Sequence, residues 1–203
     1  MDLVRALTYP LRVTKQSARL LRSVLMGDFL SAYAVTQGNK LAVVDDRPDG
    51  TLRQLTFAEL EAASNRLANV LLDLGVRPGD SKVVWCGQNS IGLVQMVNAA
   101  RKIGVTAVPL NYRLSDEEAA YVTDHSDTTI VYVDAEFAPM FERIRGELPK
   151  VEHYLVFDGA VPDGMIDVDA LTAAASAAYP KFFFFNDTAT TEIYTSGTTG
   201  KPK

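Results

Sequence analysis

The densest chemistry in the sequence lies in its last ten residues, Tyr194-Thr195-Ser196-Gly197-Thr198-Thr199-Gly200-Lys201-Pro202-Lys203. Small and hydroxyl-bearing residues surround two glycines, and two lysines follow. A loop of this kind can turn backbone N–H groups and hydroxyls towards phosphate oxygens. Its glycines admit close backbone approach and its lysines supply charge. The spacing is not that of a Walker A loop, which needs four residues between its glycines and Lys-Ser/Thr after the second. Here two residues separate Gly197 from Gly200, and Pro202 follows Lys201. Taken alone, the string also reads as a flexible polar turn.

Other reactive side chains have simpler readings. Cys86 sits beside Trp85 in an apolar run and reads as a buried structural thiol, with no histidine near it in sequence. His125 and His153 have no metal-ligand spacing and read as surface or helix-end histidines. Asp116, Glu117 and Glu118 are charges favoured at a helix start by the dipole, not an acid/base pair. Tyr112 and Arg113 follow a strand end, where they can border a substrate cleft; no role is assigned to them. No catalytic residue and no metal ligand is singled out.

The elements that must position the loop can be read from periodicity. Leu41–Val44 and Leu52–Leu55 flank a turn-rich stretch and predict a β-hairpin. Thr56-Phe57-Ala58-Glu59 is a capping box, and Leu60, Ala63, Leu67, Leu71 and Leu74 mark one face of the helix that follows, which Gly75 ends. Lys82–Cys86 reads as a buried strand, Ile91–Ile103 as a helix closed by Gly104, and Val105–Leu110 as a strand. A second capping box at Ser115–Glu118 opens a helix to about His125. Thr129–Val133 is a strand, Glu136–Glu147 a helix with a kink near Pro139, and Tyr154–Phe157 a strand. After a turn at Ala160–Gly164, Val168–Ala178 is expected to be a helix ended by Pro180. Strands alternating with helices predict an α/β fold, a parallel sheet with helices on both faces.

Composition bounds the function. The 203 residues are 47% hydrophobic and 22% charged, ordinary for a globular chain that buries a core. A net charge of −5 speaks against a general nucleic-acid binder. A single cysteine excludes an internal disulfide framework and fits a reducing, cytoplasmic setting. No apolar run is long enough to span a membrane, since Ile91–Leu110 is broken by Arg101 and Lys102. Residues 1–25 carry Arg5, Arg12, Lys15, Arg19 and Arg22 with leucines at near-helical spacing. They read either as a helix packed on the rest of the protein or as a basic amphipathic segment in peripheral contact with an anionic membrane.

The terminal string closely resembles the phosphate-loop signature of the adenylate-forming superfamily of acyl-CoA synthetases, aryl-CoA ligases, luciferases and amino-acid adenylation domains. Leu55–Leu60, Asn65–Ala68, Gly75–Asp80, Gln88–Ser90 and Ala107–Asn111 resemble its early blocks. The general style is most similar to a bacterial fatty acyl-CoA synthetase. The resemblance implies a ligase acting on small molecules: a fatty acid, ATP with Mg²⁺, and coenzyme A. It further implies that Thr195, Ser196, Gly197, Thr198, Thr199, Gly200 and Lys203 hold the β- and γ-phosphates. Lys201, at a position the family leaves variable, is a weaker member of the set. The family's later motifs have no position here, so the chain is expected to be an N-terminal fragment, inactive alone. The alternatives are another adenylate-forming ligase and a non-catalytic interaction or membrane-associated module.

Four organisational segments follow: 1–30, a basic amphipathic start; 31–181, the α/β subdomain; 182–193; and 194–203, the loop. The third begins with four phenylalanines, Phe182–Phe185. The run from Asn186 to Thr195 back-translates into AAT GAT ACG GCG ACC ACC GAG ATC TAC AC, a common sequencing-library adapter, and a thymine run encodes phenylalanine. Residues 182–193 are therefore read as adapter sequence assembled into the gene, the alternative being a genuine strand. Amplifying and resequencing the source DNA is expected to remove these codons; a long read that recovers them would establish the strand.

Overall fold

In the computed structural model, residues 17, 21, 27–47 and 50–181 are described. A five-stranded, wholly parallel sheet carries the fold. Its strands are β3 (Lys82–Cys86), β4 (Thr106–Leu110), β5 (Ile130–Asp134), β6 (His153–Phe157) and β7 (Ile166–Asp167), in the spatial order β4-β3-β5-β6-β7. Ahead of it, β1 (Leu41–Asp46) and β2 (Leu52–Thr56) pair as an antiparallel hairpin with a register shift between Leu41 and Val43. The helices are α1 (Phe29–Gln37), α2 (Phe57–Asp73), α3 (Ile91–Ile103), α4 (Asp116–His125), α5 (Ala138–Ile144) and α6 (Val168–Ala174).

Alternation along the strands divides the core in two. Val83, Ile130, Tyr132, Leu155 and Phe157 point to one face, against Leu67 and Leu71 of α2 and Met96 and Ile103 of α3. Their neighbours Val84, Val131, Val133, Tyr154 and Val156 point to the other, against Ala119 and Ala120 of α4 and Phe141 and Ile144 of α5. Both faces are thus covered, as parallel sheets require. On the first face α3 approaches closely at Gly92, where a Cβ would stand 2.6 Å from the Phe157 ring and whose carbonyl accepts from the Tyr132 hydroxyl at 3.2 Å. At the strand starts, Thr128 Oγ1 accepts from Val84 N at 3.1 Å and lies 2.8 Å from Lys82 O, which ties β3 to the entry of β5.

Local signals explain the helix ends. Both capping boxes form: Thr56 Oγ1 accepts from Glu59 N while Glu59 accepts from Thr56 N, and Ser115 and Glu118 repeat the exchange. Ser90 caps α3, and Gly104 closes it at φ +66°. Two expectations change. The stretch predicted as a kinked helix over 136–147 is a 3₁₀ turn (Ala135–Phe137), then α5, then a second 3₁₀ turn (Arg145–Glu147). Pro139 lies in the first turn of α5, where its missing N–H leaves no hydrogen bond unmade, so it opens a helix and does not kink one. The last helix stops at Ala174, short of the predicted Ala178, because Ala175 turns to extended backbone (φ −75°, ψ 157°). Side chains of α2 then take up the carbonyls that follow.

The periodicity did not anticipate a buried ion cluster beneath α1. Lys102 Nζ, fully buried, donates to Asp28 Oδ2 at 2.8 Å, Glu61 Oε2 at 2.5 Å and Ser31 Oγ at 2.9 Å. Asp28 also caps α1 by accepting from Ser31 N at 3.1 Å. Burial works against ionising Asp28, but the Lys102 ammonium and the Ser31 donors outweigh it and hold its carboxyl below the ordinary value. Lys102→Ala would leave two buried carboxylates without their cation and is expected to cost about 3–5 kcal/mol in denaturant unfolding. A loss below about 1 kcal/mol would show that α1 and α2 are held by other contacts.

Candidate functional site

In open parallel sheets ligands gather beyond the carboxyl ends of the strands. Here that edge is formed by Gly87 and Gln88 after β3, Asn111–Arg113 after β4, Asp134 and Glu136 at and after β5, and Asp158 after β6. The chain passes tightly at Gly87, where a Cβ would stand 3.1 Å from the Asp134 Cβ.

One side of the edge is closed by the hairpin. Arg53 of β2 holds Asp158 through two bonds, Nη1 to Oδ1 at 2.6 Å and Nη2 to Oδ2 at 2.7 Å, and reaches Asp45 Oδ2 at 2.7 Å. Arg47 adds a bond to Asp158 Oδ2 at 3.1 Å and stands 3.7 Å from Asp134 Oδ2. Asp45 Oδ2 also accepts from Ile91 N at 3.1 Å, so the hairpin helps cap α3. Asp158 adopts φ +59°, and its N–H donates to Asp169 Oδ2 at 2.8 Å. The electrostatics split two similar carboxyls. Burial raises both, but at Asp45 the Ile91 N–H and Arg53 prevail and its pKa is lowered. At Asp134 burial, with Asp158 and Glu136 nearby, prevails over the Glu136 N–H and Arg47, and its pKa is raised.

The other side is a mixed polar and aromatic ledge. Gln88 Nε2 donates to Glu136 Oε2 at 2.9 Å. The Tyr112 ring lies 4.9 Å from that of Phe137, and the Arg113 guanidinium stands 5.3 Å from the centre of Tyr112. Tyr112 and Arg113 thus border the edge as the sequence suggested. Cys86 ends β3 fully buried; burial, and then the Asp134 charge, push its thiol up to about 12, which removes it as a nucleophile near neutral pH. His125 ends α4 stacked on Tyr121, and His153 starts β6. Asp116 is paired with Arg143 at 2.6 Å. Among the described residues no group of three or more His, Cys, Asp or Glu side chains is placed to hold a metal ion, and no helix is long and apolar enough to cross a membrane.

The predicted phosphate-binding residues Thr195, Ser196, Gly197, Thr198, Thr199, Gly200, Lys201 and Lys203 lie outside the described residues, as do 182–193 and most of 1–25. The arginine–aspartate network was missed. Its faint signal is an aspartate directly after each of two apolar strand runs, at Asp134 and Asp158, while the partners Arg47 and Arg53 are remote in sequence.

Comparison with known proteins gives a consistent picture. The family model described as AMP-binding enzyme matches residues 30–203. A crotonobetaine/carnitine–CoA ligase of Salmonella heidelberg is 33% identical over 171 residues, 82% of this chain and 33% of its own. A long-chain-fatty-acid–CoA ligase of Thermus thermophilus is 33% identical over 176 residues, 87% of this chain and 32% of its own. The chain therefore spans about a third of the length of these curated relatives. Among solved structures, an anthranilate CoA ligase in complex with anthranoyl-AMP superposes with a TM-score of 0.69 at 28% identity, over 75% of this chain and 28% of that one. A Mycobacterium tuberculosis fatty acyl CoA synthetase gives 0.66 at 26% identity, over 76% and 29%.

Asp158→Ala removes a carboxylate bound by two arginines and leaves a side chain at positive φ. It is expected to lose at least about 2 kcal/mol of unfolding free energy, of which Asp158→Gly recovers about 1 kcal/mol by tolerating that backbone. Equal losses in the two variants would show that the positive φ carries no strain.

Proposed function

Because the chain belongs to the AMP-binding enzyme family, we propose that it is the N-terminal part of an ATP-dependent acyl-CoA synthetase acting on a medium- or long-chain fatty acid. The observation that carries the reading is the Tyr194–Lys203 string at the end of a chain that folds as this family does. Support for the acid class comes from the fatty-acid ligases among its relatives. The carnitine and anthranilate ligases among them favour a second reading, another acid–CoA ligase of the same family.

In this reading a carboxylate oxygen of the acid bonds to the α-phosphorus of ATP. The bond from that phosphorus to the bridging oxygen breaks, and pyrophosphate leaves. The thiolate of coenzyme A then bonds to the acyl carbon and AMP departs with the bonding pair. Bringing a carboxylate to a triphosphate requires that its charge be screened and its oxygens held. Mg²⁺ supplies part of that screening when bound. The backbone N–H groups at Gly197 and Gly200, the hydroxyls of Thr195, Ser196, Thr198 and Thr199, and the Lys203 ammonium would hold the β- and γ-phosphates, with Lys201 contributing charge nearby.

The 203 residues alone are not expected to turn over. Purified chain with ATP, Mg²⁺ and palmitate should release no pyrophosphate above background, whereas a chain completed to the length of its relatives should. Sustained release by the 203-residue chain would overturn its status as a part. Release by the completed chain with anthranilate or carnitine but not palmitate would replace the fatty acid by the second reading.

A further inference from the structure

Where the hairpin meets the sheet, three carboxylates compete for two guanidiniums. Arg53 is committed: it binds Asp158 through both Nη atoms and holds Asp45, which also accepts from Ile91 N. Arg47 is divided. Its Nη2 donates to Asp158 Oδ2 at 3.1 Å and stands 3.7 Å from Asp134 Oδ2, beyond hydrogen-bond reach. The other oxygen of Asp134 accepts from Glu136 N at 3.1 Å. Asp134 is thus the carboxyl with the least compensation, although its side chain is only 6% exposed.

Among the described residues, few charged or titratable groups face Asp134. The hairpin brings Arg47, with Arg53 and Asp45 behind it. β6 ends on Asp158, behind which stands Asp169 of α6, accepting from Asp158 N. The 3₁₀ turn after β5 brings Glu136, and β3 brings the Cys86 thiol, which stays neutral near and below neutral pH. Tyr132, buried in β5 itself, stays neutral as well. Neither histidine is at this end of the sheet: His153 starts β6, and His125 ends α4 ahead of the entry to β5. Burial acts first on Asp134. Repulsion from Asp158 and Glu136 adds to it, and the Glu136 N–H and Arg47 do not offset the sum, so the neutral carboxyl is favoured.

We propose that the hairpin is a proton-operated latch on the carboxyl edge of the sheet, with Asp134 as its sensing group and Arg47 as the side chain it controls. With Asp134 neutral, Arg47 serves Asp158 alone and the hairpin is held against the end of β6. With Asp134 ionised, two carboxylates repel each other and divide one guanidinium, and the hairpin loosens. The proton comes from water and returns to it. Because the fold favours the protonated carboxyl, closure is strongest at mild acidity and weakens as pH rises through the titration of Asp134. This is the reverse of a salt-bridged aspartate, whose contribution is lost as pH falls. The latch needs no ligand and stands apart from the activity proposed above.

The test titrates the 203-residue chain from about pH 8 to about pH 4. It follows the Asp134 carboxyl by carbon NMR and the amide protection factors of β1 and β2 beside those of β3 and β5. Hairpin protection should rise on acidification, by up to about tenfold for each pH unit by which Asp134 titrates above the ordinary carboxylate value, while the sheet changes less. Asp134→Asn, which keeps an acceptor for Glu136 N, should give the high protection at every pH. Glu136→Gln, at an exposed position that keeps an acceptor for Gln88, should move the titration and the protection curve together to lower pH. Titration of Asp134 at or below the ordinary value would overturn the proposal. So would hairpin protection that ignores pH, or a pH dependence that survives in Asp134→Asn. Equal changes in hairpin and sheet would overturn it by making the effect one of global stability. Should Asp134→Asn fail to fold, Glu136→Gln decides, and curves that do not move together would sink the latch.

Discussion

A lysine ammonium withdrawn from water is the constraint on which the first part of this chain depends. Taking a cation out of water costs several kcal/mol, and it is tolerated only where opposite charges and hydrogen bonds surround it. Lys102 meets that condition with three groups from two places: Asp28 and Ser31 at the start of α1, and Glu61 on α2. None of these contacts is local in sequence. Once α3 packs on the sheet through Met96 and Ile103, its last turn carries Lys102 to a fixed point, and α1 and α2 must come to it. Hydrophobic burial on this face is permissive about angle and depth; the ion cluster is not.

The hairpin is attached by the same logic at the opposite end of α3. Asp45 reaches the first N–H of that helix, and Arg53 and Arg47 reach the carboxylate that ends β6. One helix thus has a buried charge cluster at its last turn and a second network at its first, and both lead to segments that precede the sheet in sequence. The sheet's carboxyl edge is walled by the hairpin on one side and lined by the ledge of Gln88, Tyr112 and Arg113 on the other.

Much of the architecture could be read from the sequence, because capping boxes, glycine stops and apolar runs are local devices. Thr56–Glu59 and Ser115–Glu118 announced two helices to the residue. Misreadings arose where a tertiary partner decided the outcome. Pro139 looked like a kink because the 3₁₀ turn before it leaves no periodic trace. Ala175–Ala178 looked helical because alanine favours helix, yet the chain turns extended at Ala175 and side chains of α2 take up its carbonyls. Lys102 looked like an interruption of an apolar run, since Asp28 and Glu61 lie far from it in sequence. For the site, the loop string stands out by composition and resemblance but lies outside the described residues, while the ledge and the arginine–aspartate network needed the fold to bring the ends of β3, β4, β5 and β6 together with the hairpin.

The two-faced core has a further consequence for how alignment is stored. Inside β3, β5 and β6 most side chains are apolar whichever face they point to, so sliding one of these strands by a residue would still bury apolar groups while displacing the aromatic ones, Trp85, Tyr132, Tyr154 and Phe157. Hydrophobicity alone would barely register the error. Besides the Tyr132 hydroxyl on Gly92 O, the polar contacts that distinguish the correct setting sit at the tips: the Thr128 hydroxyl between β3 and β5 at one end, and Asp134 and Asp158 with their arginines at the other. The sheet resembles a stack of nearly interchangeable rods keyed at their ends, so that sequence drift along the middles is cheap while the polar tips preserve the alignment.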